Sequence, residues 1–243
     1  MPQFLLALFL LFAITNSNLF ATTVFDSGIH QNRLIELYTS EGCSSCPPAE
    51  AYLNTLRDNP ALWKHYIPAA FHVDYWNYLG WRDRFSSSDY SARQRTYARH
   101  WRAATVYTPE FFVNGREWRG WRGGMAPDTP TTTVGRLTAE LQNGNLTANF
   151  TPQTGFSGKL VLHIAILGMD RTTRIQTGEN AGRHATHHFV VLGHKTMASD
   201  KPQWQTTLPQ PHVGKKDADA LAIWVTKQGN PVPVQAAGGF ITP

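Results

Sequence analysis

The sequence predicts an α/β domain followed by a smaller, all-β region, and three observations carry that prediction. Up to about residue 143, apolar runs of strand length alternate with runs of helical periodicity. Asn114-Gly115 lies between two short runs, as the turn of a hairpin does. After Gly144 the helical signal gives way to short strand-like segments separated by Gly, Pro, Asn and Thr. The 243 residues have room for one large domain or two ordinary ones, and a hydrophobic content of 42% excludes wholesale disorder.

The chain opens with an uninterrupted apolar run from Phe4 to Ile14. Such a run is too short to span a bilayer and suits the apolar core of a signal peptide, here residues 1–21. It lacks a Lys or Arg ahead of it, so a retained membrane anchor stays open as the alternative. Either way the body of the protein is expected outside the cytoplasm, periplasmic or secreted, where a cysteine pair persists oxidised.

Arg33 to Tyr38 reads as a buried strand. Pro47 to Arg57 reads as a helix, with Pro in the first turn and Ala49, Tyr52, Leu53 and Leu56 at helical spacing; Asn59-Pro60 ends it. Tyr66 to Val73 is a second strand, paired from just after Pro68, because proline lacks the ladder N–H. Ser88 to Arg102 is a second helix capped by Ser87 or Ser88. Glu110–Val113 and Arg116–Arg119 form the hairpin, and Thr132 to Leu141 reads as a third helix closed by Asn143-Gly144. The order β-α-β-α-β-β-α over residues 30–143 is that of an α/β domain. Strands at 146–150, 159–167, 189–194, 203–208 and 220–226 then predict a sandwich-like β domain over 144–243.

The two cysteines of the chain, Cys43 and Cys46, stand three positions apart between the first strand and the first helix. A helix N-terminus presents unpaired N–H groups and the positive end of the dipole. A thiolate there is stabilised and becomes a nucleophile near neutral pH, which is the chemistry of thiol–disulfide exchange. A bridge closing so short a loop constrains little chain entropy, which argues against a purely structural staple. By position, Cys43 is the more exposed, attacking thiol and Cys46 the resolving one. Glu41 would raise the thiol pKa if its carboxylate lies close, and Pro47 biases Cys46 away from helical backbone, so the helix would start late. The hydroxyls of Ser44 and Ser45 are placed to donate to the Cys43 sulfur.

Downstream, Val106-Tyr107-Thr108-Pro109-Glu110-Phe111-Phe112-Val113-Asn114-Gly115 places a proline just before the first hairpin strand. Strand, Cys-x-x-Cys, helix and this proline together resemble the thioredoxin superfamily. The resemblance implies a thioredoxin-like first domain, a cis Thr108–Pro109 bond beside Cys43, and a Thr108 backbone able to pair with an incoming chain. The runs Glu36–Glu50, Phe71–Trp81, Tyr107–Pro109 and Gly178–Arg183 also look like an uncharacterised family of secreted thioredoxin-like proteins of the same two-part layout. That likeness runs from about Arg33 to the C-terminus and brings no established substrate.

Three groups are candidates for proton relay: Glu36 in the first strand, and His72 and Asp74 at the end of the second, on one strand face by alternation. For His72 and Asp74 the competing roles are a satisfied interior group and a turn cap. His184, His187 and His188 lie within five residues, but strand spacing sets His187 and His188 on opposite faces, so a polar surface packed on the first domain is favoured over a metal site. Arg183 is placed to pair with Glu179 or to bridge the domains.

The formal charge is +5, and nine Arg against four acidic residues lie between Arg82 and Arg122 among many aromatics. That mixture is one signature of nucleic-acid binding; in an exported chain it reads instead as Arg stems covering apolar surface. The expected function is an exported thiol–disulfide oxidoreductase whose partners are protein thiols and disulfides, with no cofactor, no nucleic acid and no membrane contact beyond the export signal. The alternatives are a Cu(I) handler using Cys43, Cys46 and His72, and a redox-inactive interaction module.

Overall fold

The computed structural model describes residues 22–129, 131–153, 158–213 and 218–242. The segment expected to be a signal peptide lies outside the described residues. In chain order the elements are β1 (Thr23–Asp26), β2 (Arg33–Thr39), α1 (Pro47–Thr55), β3 (Tyr66–His72), α2 (Ser88–Trp101), β4 (Glu110–Val113) and β5 (Arg116–Glu117). Then come β6 (Gly135–Gln142), β7 (Asn145–Pro152), β8 (Leu160–Gly168), β9 (Arg171–Arg174), β10 (His184–His187), β11 (Val190–Ser199), β12 (Gln203–Thr207), β13 (Ala220–Lys227) and β14 (Pro233–Phe240).

The expectation of an α/β thioredoxin-like domain followed by a smaller all-β domain is corrected. The fold is β-rich, with two α-helices against fourteen strands among the described residues. Its frame is an eight-stranded mixed sheet in the order β14-β13-β8-β11-β3-β2-β4-β5. β3 runs parallel to β2 on one side and meets β11 in parallel on the other, at Ala70 and Val190. The sheet therefore takes strands from both sides of the expected boundary at 143/144, which falls in the tight turn between β6 and β7.

The third expected helix is strand β6. Its burial alternates strictly, with Leu137, Ala139 and Leu141 inward and Arg136, Glu140 and Gln142 outward. That period of two is a strand signature, and Asn143-Gly144, both at positive φ, turns the chain into β7 rather than ending a helix. β1, β6, β7 and β12 form a four-stranded sheet. It packs on the large sheet through Phe25, Leu137, Phe150, Ile164, Trp204 and Ile223.

The two faces of the large sheet diverge by residue parity. Leu34, Tyr38, Phe71, Leu167 and Trp224 share a core with Tyr90 and Tyr97 of α2. Ile35, Leu37 and Ala70 share one with Ala49 and Leu53 of α1. α1 and α2 thus cover opposite faces. Pro68 lies inside β3, not before its paired part. Its missing N–H faces the β11 side, where pairing begins only with Ala70 N–H donating to Phe189 O at 2.8 Å. Among the described residues no helix is long and apolar enough to cross a membrane.

Candidate functional site

Cys43 and Cys46 are joined by a disulfide, with Cα atoms 5.4 Å apart, inside the usual range. Two turns deliver them: Cys43 N–H donates to Ser40 O and Cys46 N–H to Cys43 O. Gly42 lets this loop approach its neighbour, since a Cβ there would lie 3.2 Å from Trp76 O. Helix α1 begins directly at Pro47. Cys46 adopts helical backbone (φ −77°, ψ −33°) despite the following proline, and its carbonyl accepts from Ala49 and Glu50. The helix thus starts at Pro47, as the sequence predicts; only the expected non-helical backbone at Cys46 is corrected, since two helix-forming bonds hold that residue where local sterics alone disfavour it.

Thr108–Pro109 is cis. The Thr108 carbonyl oxygen lies 3.8 Å from Cys43 Sγ, and Thr108 Oγ1 accepts from Trp76 Nε1 at 2.7 Å. Ser45 Oγ sits 3.3 Å from Cys43 Sγ and donates to the Thr108 carbonyl at 3.4 Å. Cys43 is the more exposed of the pair, as expected, but both are buried: residue accessibility is 5% for Cys43 and 0% for Cys46. The turn between β9 and β10 is fastened to the cysteine loop. Asn180 Nδ2 donates to the carbonyls of Glu41 and Cys43, both at 2.9 Å, and Ser44 N–H donates to Glu179 Oε2 at 3.3 Å. Glu179 thus contacts the cysteine loop.

Glu36 is not brought to this site. It faces α2, where Arg93 Nη2 approaches its carboxylate to 2.6 Å and Tyr97 OH donates at 2.5 Å. Strand parity places it opposite α1, so it anchors the far side of the sheet and relays nothing to the cysteines. Asp74 leaves too: beyond the last β3 residue its Oδ1 accepts from Ser91 Oγ of α2 at 2.5 Å. The alternation that put it beside His72 ends with the strand.

His72 stays, on the α1 face, and belongs to a buried polar cluster that includes Glu41, Glu50, Asp83 and His187. His72 Nδ1 donates to Asp83 Oδ2 at 2.7 Å. The same oxygen accepts from Glu41 N–H at 2.8 Å. The Glu41 carboxylate turns inward, accepting from Trp81 Nε1 at 2.8 Å and from His187 Nε2 at 3.1 Å. Glu50, on α1, accepts from Thr39 Oγ1 at 2.6 Å through Oε1, while its Oε2 lies 3.0 Å from His187 Nδ1 without hydrogen-bond alignment. The rings of His72 and His187 meet edge to face, centroids 5.2 Å apart.

Charge and burial oppose one another here. Burial pulls the His187 pKa down, but the neighbouring Glu50 charge and the Glu41 hydrogen bond outweigh it and lift it to about 10. Burial lowers and the Asp83 carboxylate raises the His72 pKa, with a net rise. Burial raises and His72 lowers the Asp83 pKa, with a net fall, and Glu50 falls likewise against burial because of His187. A cavity of about 250 Å³ lined by Glu41, Glu50, Asn180, Arg183 and His187 opens onto the cluster.

Sequence reasoning missed Glu50, Asp83 and Asn180, and set His187 aside. It also missed Glu110, which follows the cis proline. Burial raises the Glu110 carboxyl pKa to about 7, although Gln94 Nε2 donates to it at 2.6 Å. The copper set Cys43, Cys46 and His72 does not assemble. Among the described residues the donors that converge are Glu50, His72 and His187, and neither cysteine is with them.

A family model described as a protein of unknown function, DUF1223, matches residues 34–226. No curated protein matches the sequence. A crystal structure of an Agrobacterium tumefaciens protein is similar at 24% identity and a TM-score of 0.63, covering 86% of this chain and 93% of that one. HBP35 of Porphyromonas gingivalis is similar at 13% identity and a TM-score of 0.56, covering 88% of this chain and 76% of that one. These likenesses concern the fold.

Proposed function

The chain belongs to the DUF1223 family of unknown function, and we propose that it is a thiol–disulfide oxidoreductase working through Cys43 and Cys46. One observation carries the reading: a disulfide at the start of α1 in which only Cys43 meets solvent, beside the Thr108 carbonyl. In the reduced protein the Cys43 thiolate attacks a partner disulfide. A mixed disulfide forms and one partner thiolate leaves. The Cys46 thiolate then attacks the Cys43 sulfur, the second partner thiolate leaves, and the Cys43–Cys46 bond is regained. Two electrons pass to the partner, and the reverse sequence oxidises a partner dithiol.

The chain supports this chemistry in three ways. The N-terminus of α1 favours a thiolate. Ser45 Oγ, 3.3 Å from Cys43 Sγ, is placed to donate to it. The low accessibility of Cys43 favours an extended segment or a small thiol over a folded surface. A disulfide of this kind suits an oxidising compartment, and we assign the protein to the periplasm or the exterior. The test is equilibration against glutathione redox buffers, with covalent trapping by Cys46→Ser. A reversible two-electron transition, and mixed disulfides that need Cys43, are expected. A bond that stays closed across the whole glutathione range, with no trapped partner, would make the pair a static staple in an interaction module.

A further inference from the structure

The cluster beneath the disulfide contains more than a redox pair requires. Glu50 on α1, His72 at the end of β3 and His187 at the end of β10 bring one carboxylate and two imidazoles to one point, their donor atoms all within 4.8 Å of one another. His72 and His187 side chains are 1% and 2% exposed. His72 Nε2 is buried and has no hydrogen-bond partner, while His187 Nδ1 is buried and faces only Glu50 Oε2, at 3.0 Å and without hydrogen-bond alignment. Buried polar nitrogens are rarely left so, because each orphan costs about 1–3 kcal/mol.

The outer contacts match those that metal ligands require. A ligating imidazole donates its other ring N–H to a carboxylate, which fixes the tautomer and the ring. His72 donates through Nδ1 to Asp83, leaving the Nε2 lone pair inward; His187 donates through Nε2 to Glu41, leaving Nδ1 inward. Thr39 holds Glu50 Oε1, leaving Oε2 for the site. All three donors are thus oriented from outside. Three buried or half-buried carboxylates against two imidazoles also leave negative charge that a cation offsets. The cavity lined by Glu50 and His187 supplies an access route.

We propose that Glu50, His72 and His187 bind a first-row divalent transition cation through His72 Nε2, His187 Nδ1 and the Glu50 carboxylate. Two imidazoles and one carboxylate form a nitrogen- and oxygen-donor set suited to Zn²⁺, Fe²⁺ or Co²⁺, with coordination positions left for water or a ligand. The site is separate from the disulfide, so it stands or falls independently of the exchange chemistry.

The experiment uses purified protein stripped with chelator, reduced, and titrated with Co²⁺ and then Zn²⁺. We expect one equivalent bound, visible d–d absorption of a nitrogen–oxygen site, no thiolate-to-cobalt charge-transfer band, and displacement by Zn²⁺. Cys43→Ser with Cys46→Ser should bind as wild type. Glu50→Gln and His187→Ala should abolish binding, and Asp83→Asn or Glu41→Gln should weaken it about 10- to 100-fold. Circular dichroism in chelator checks that each variant folds. Absence of stoichiometric uptake by the wild-type chain would overturn the proposal and leave a buried cluster held by protons. So would a sulfur-to-cobalt band, or unchanged binding by folded His187→Ala and Glu50→Gln.

Discussion

The side-chain amide of Asn180 donates to the backbone carbonyl of Cys43 at 2.9 Å, fastening a turn from the second half of the chain to the cysteine loop. Asn180 is 3% exposed and makes a matching bond to the Glu41 carbonyl. Asn180→Ala removes both bonds and leaves two carbonyls to find water. The variant should lose about 1–3 kcal/mol of stability, and its disulfide should be reduced severalfold faster by a small thiol such as dithiothreitol. Stopped-flow reduction checks this; an unchanged rate in a folded variant would show that the turn does not control access.

Ser45 gives a second prediction. Its hydroxyl lies between Cys43 Sγ and the Thr108 carbonyl. In the reduced protein Ser45→Ala should raise the pKa of Cys43, because a donor to the thiolate is lost. Iodoacetamide alkylation against pH reads the shift, and a midpoint equal to that of wild type would remove Ser45 from the chemistry.

The Arg93–Glu36 pair makes a third. The pair lies buried between α2, which carries Arg93, and the sheet, and Arg93 also lies over the Trp224 ring, 4.9 Å from its centroid. Arg93→Met leaves Glu36 charged and unpaired in the core, at a cost of about 3–5 kcal/mol. Glu36→Gln with Arg93→Met should recover much of that loss. Thermal melts check the pair. The disulfide exchange rate should not move in folded variants, because Glu36 faces away from the cysteines.

A fourth concerns pH. Burial holds the Glu110 carboxyl at about 7 in the folded chain, above its ordinary 4.5. The folded state therefore keeps a proton that the unfolded chain gives up. The contribution of Glu110 to stability is greatest below about 4.5, falls as pH rises to about 7, and is level above that. With partial solvent screening, the cost at pH 8 is about 1–2 kcal/mol. Glu110→Gln should raise the melting temperature at pH 8 by roughly 2–8 °C, and leave it nearly unchanged at pH 4.

Much of the local structure was legible. The Pro47–Thr55 helix, the Ser87 cap, the Asn114-Gly115 turn and the cis Thr108–Pro109 bond all stand where periodicity, turn chemistry or resemblance placed them. The misreadings have two physical sources. Residues 135–142 contain Leu, Ala, Glu and Gln, good helix formers, and tertiary pairing with β1 and β7 overrode that propensity. The joining of β11 to β3 is a non-local pairing on which neighbouring residues are silent. The candidate site shows the same division. Cys43 and Cys46 announce themselves by spacing, whereas His72 and His187 come together only through the tertiary fold. One available signal was passed over: His187 and His188 do face opposite ways, but His187 needed partners from α1 and β3, not from its own segment.

Because Asn180 and His187 complete what Glu41, Cys43 and Glu50 begin, the centre exists only once the chain has been made past β10. Until the turn bearing Asn180 docks, the cysteine loop lacks these fastenings. A chain truncated at residue 150 should therefore form intermolecular disulfides more readily than the full chain. Docking of that turn, rather than the pairing of the cysteines, is the step that closes the centre.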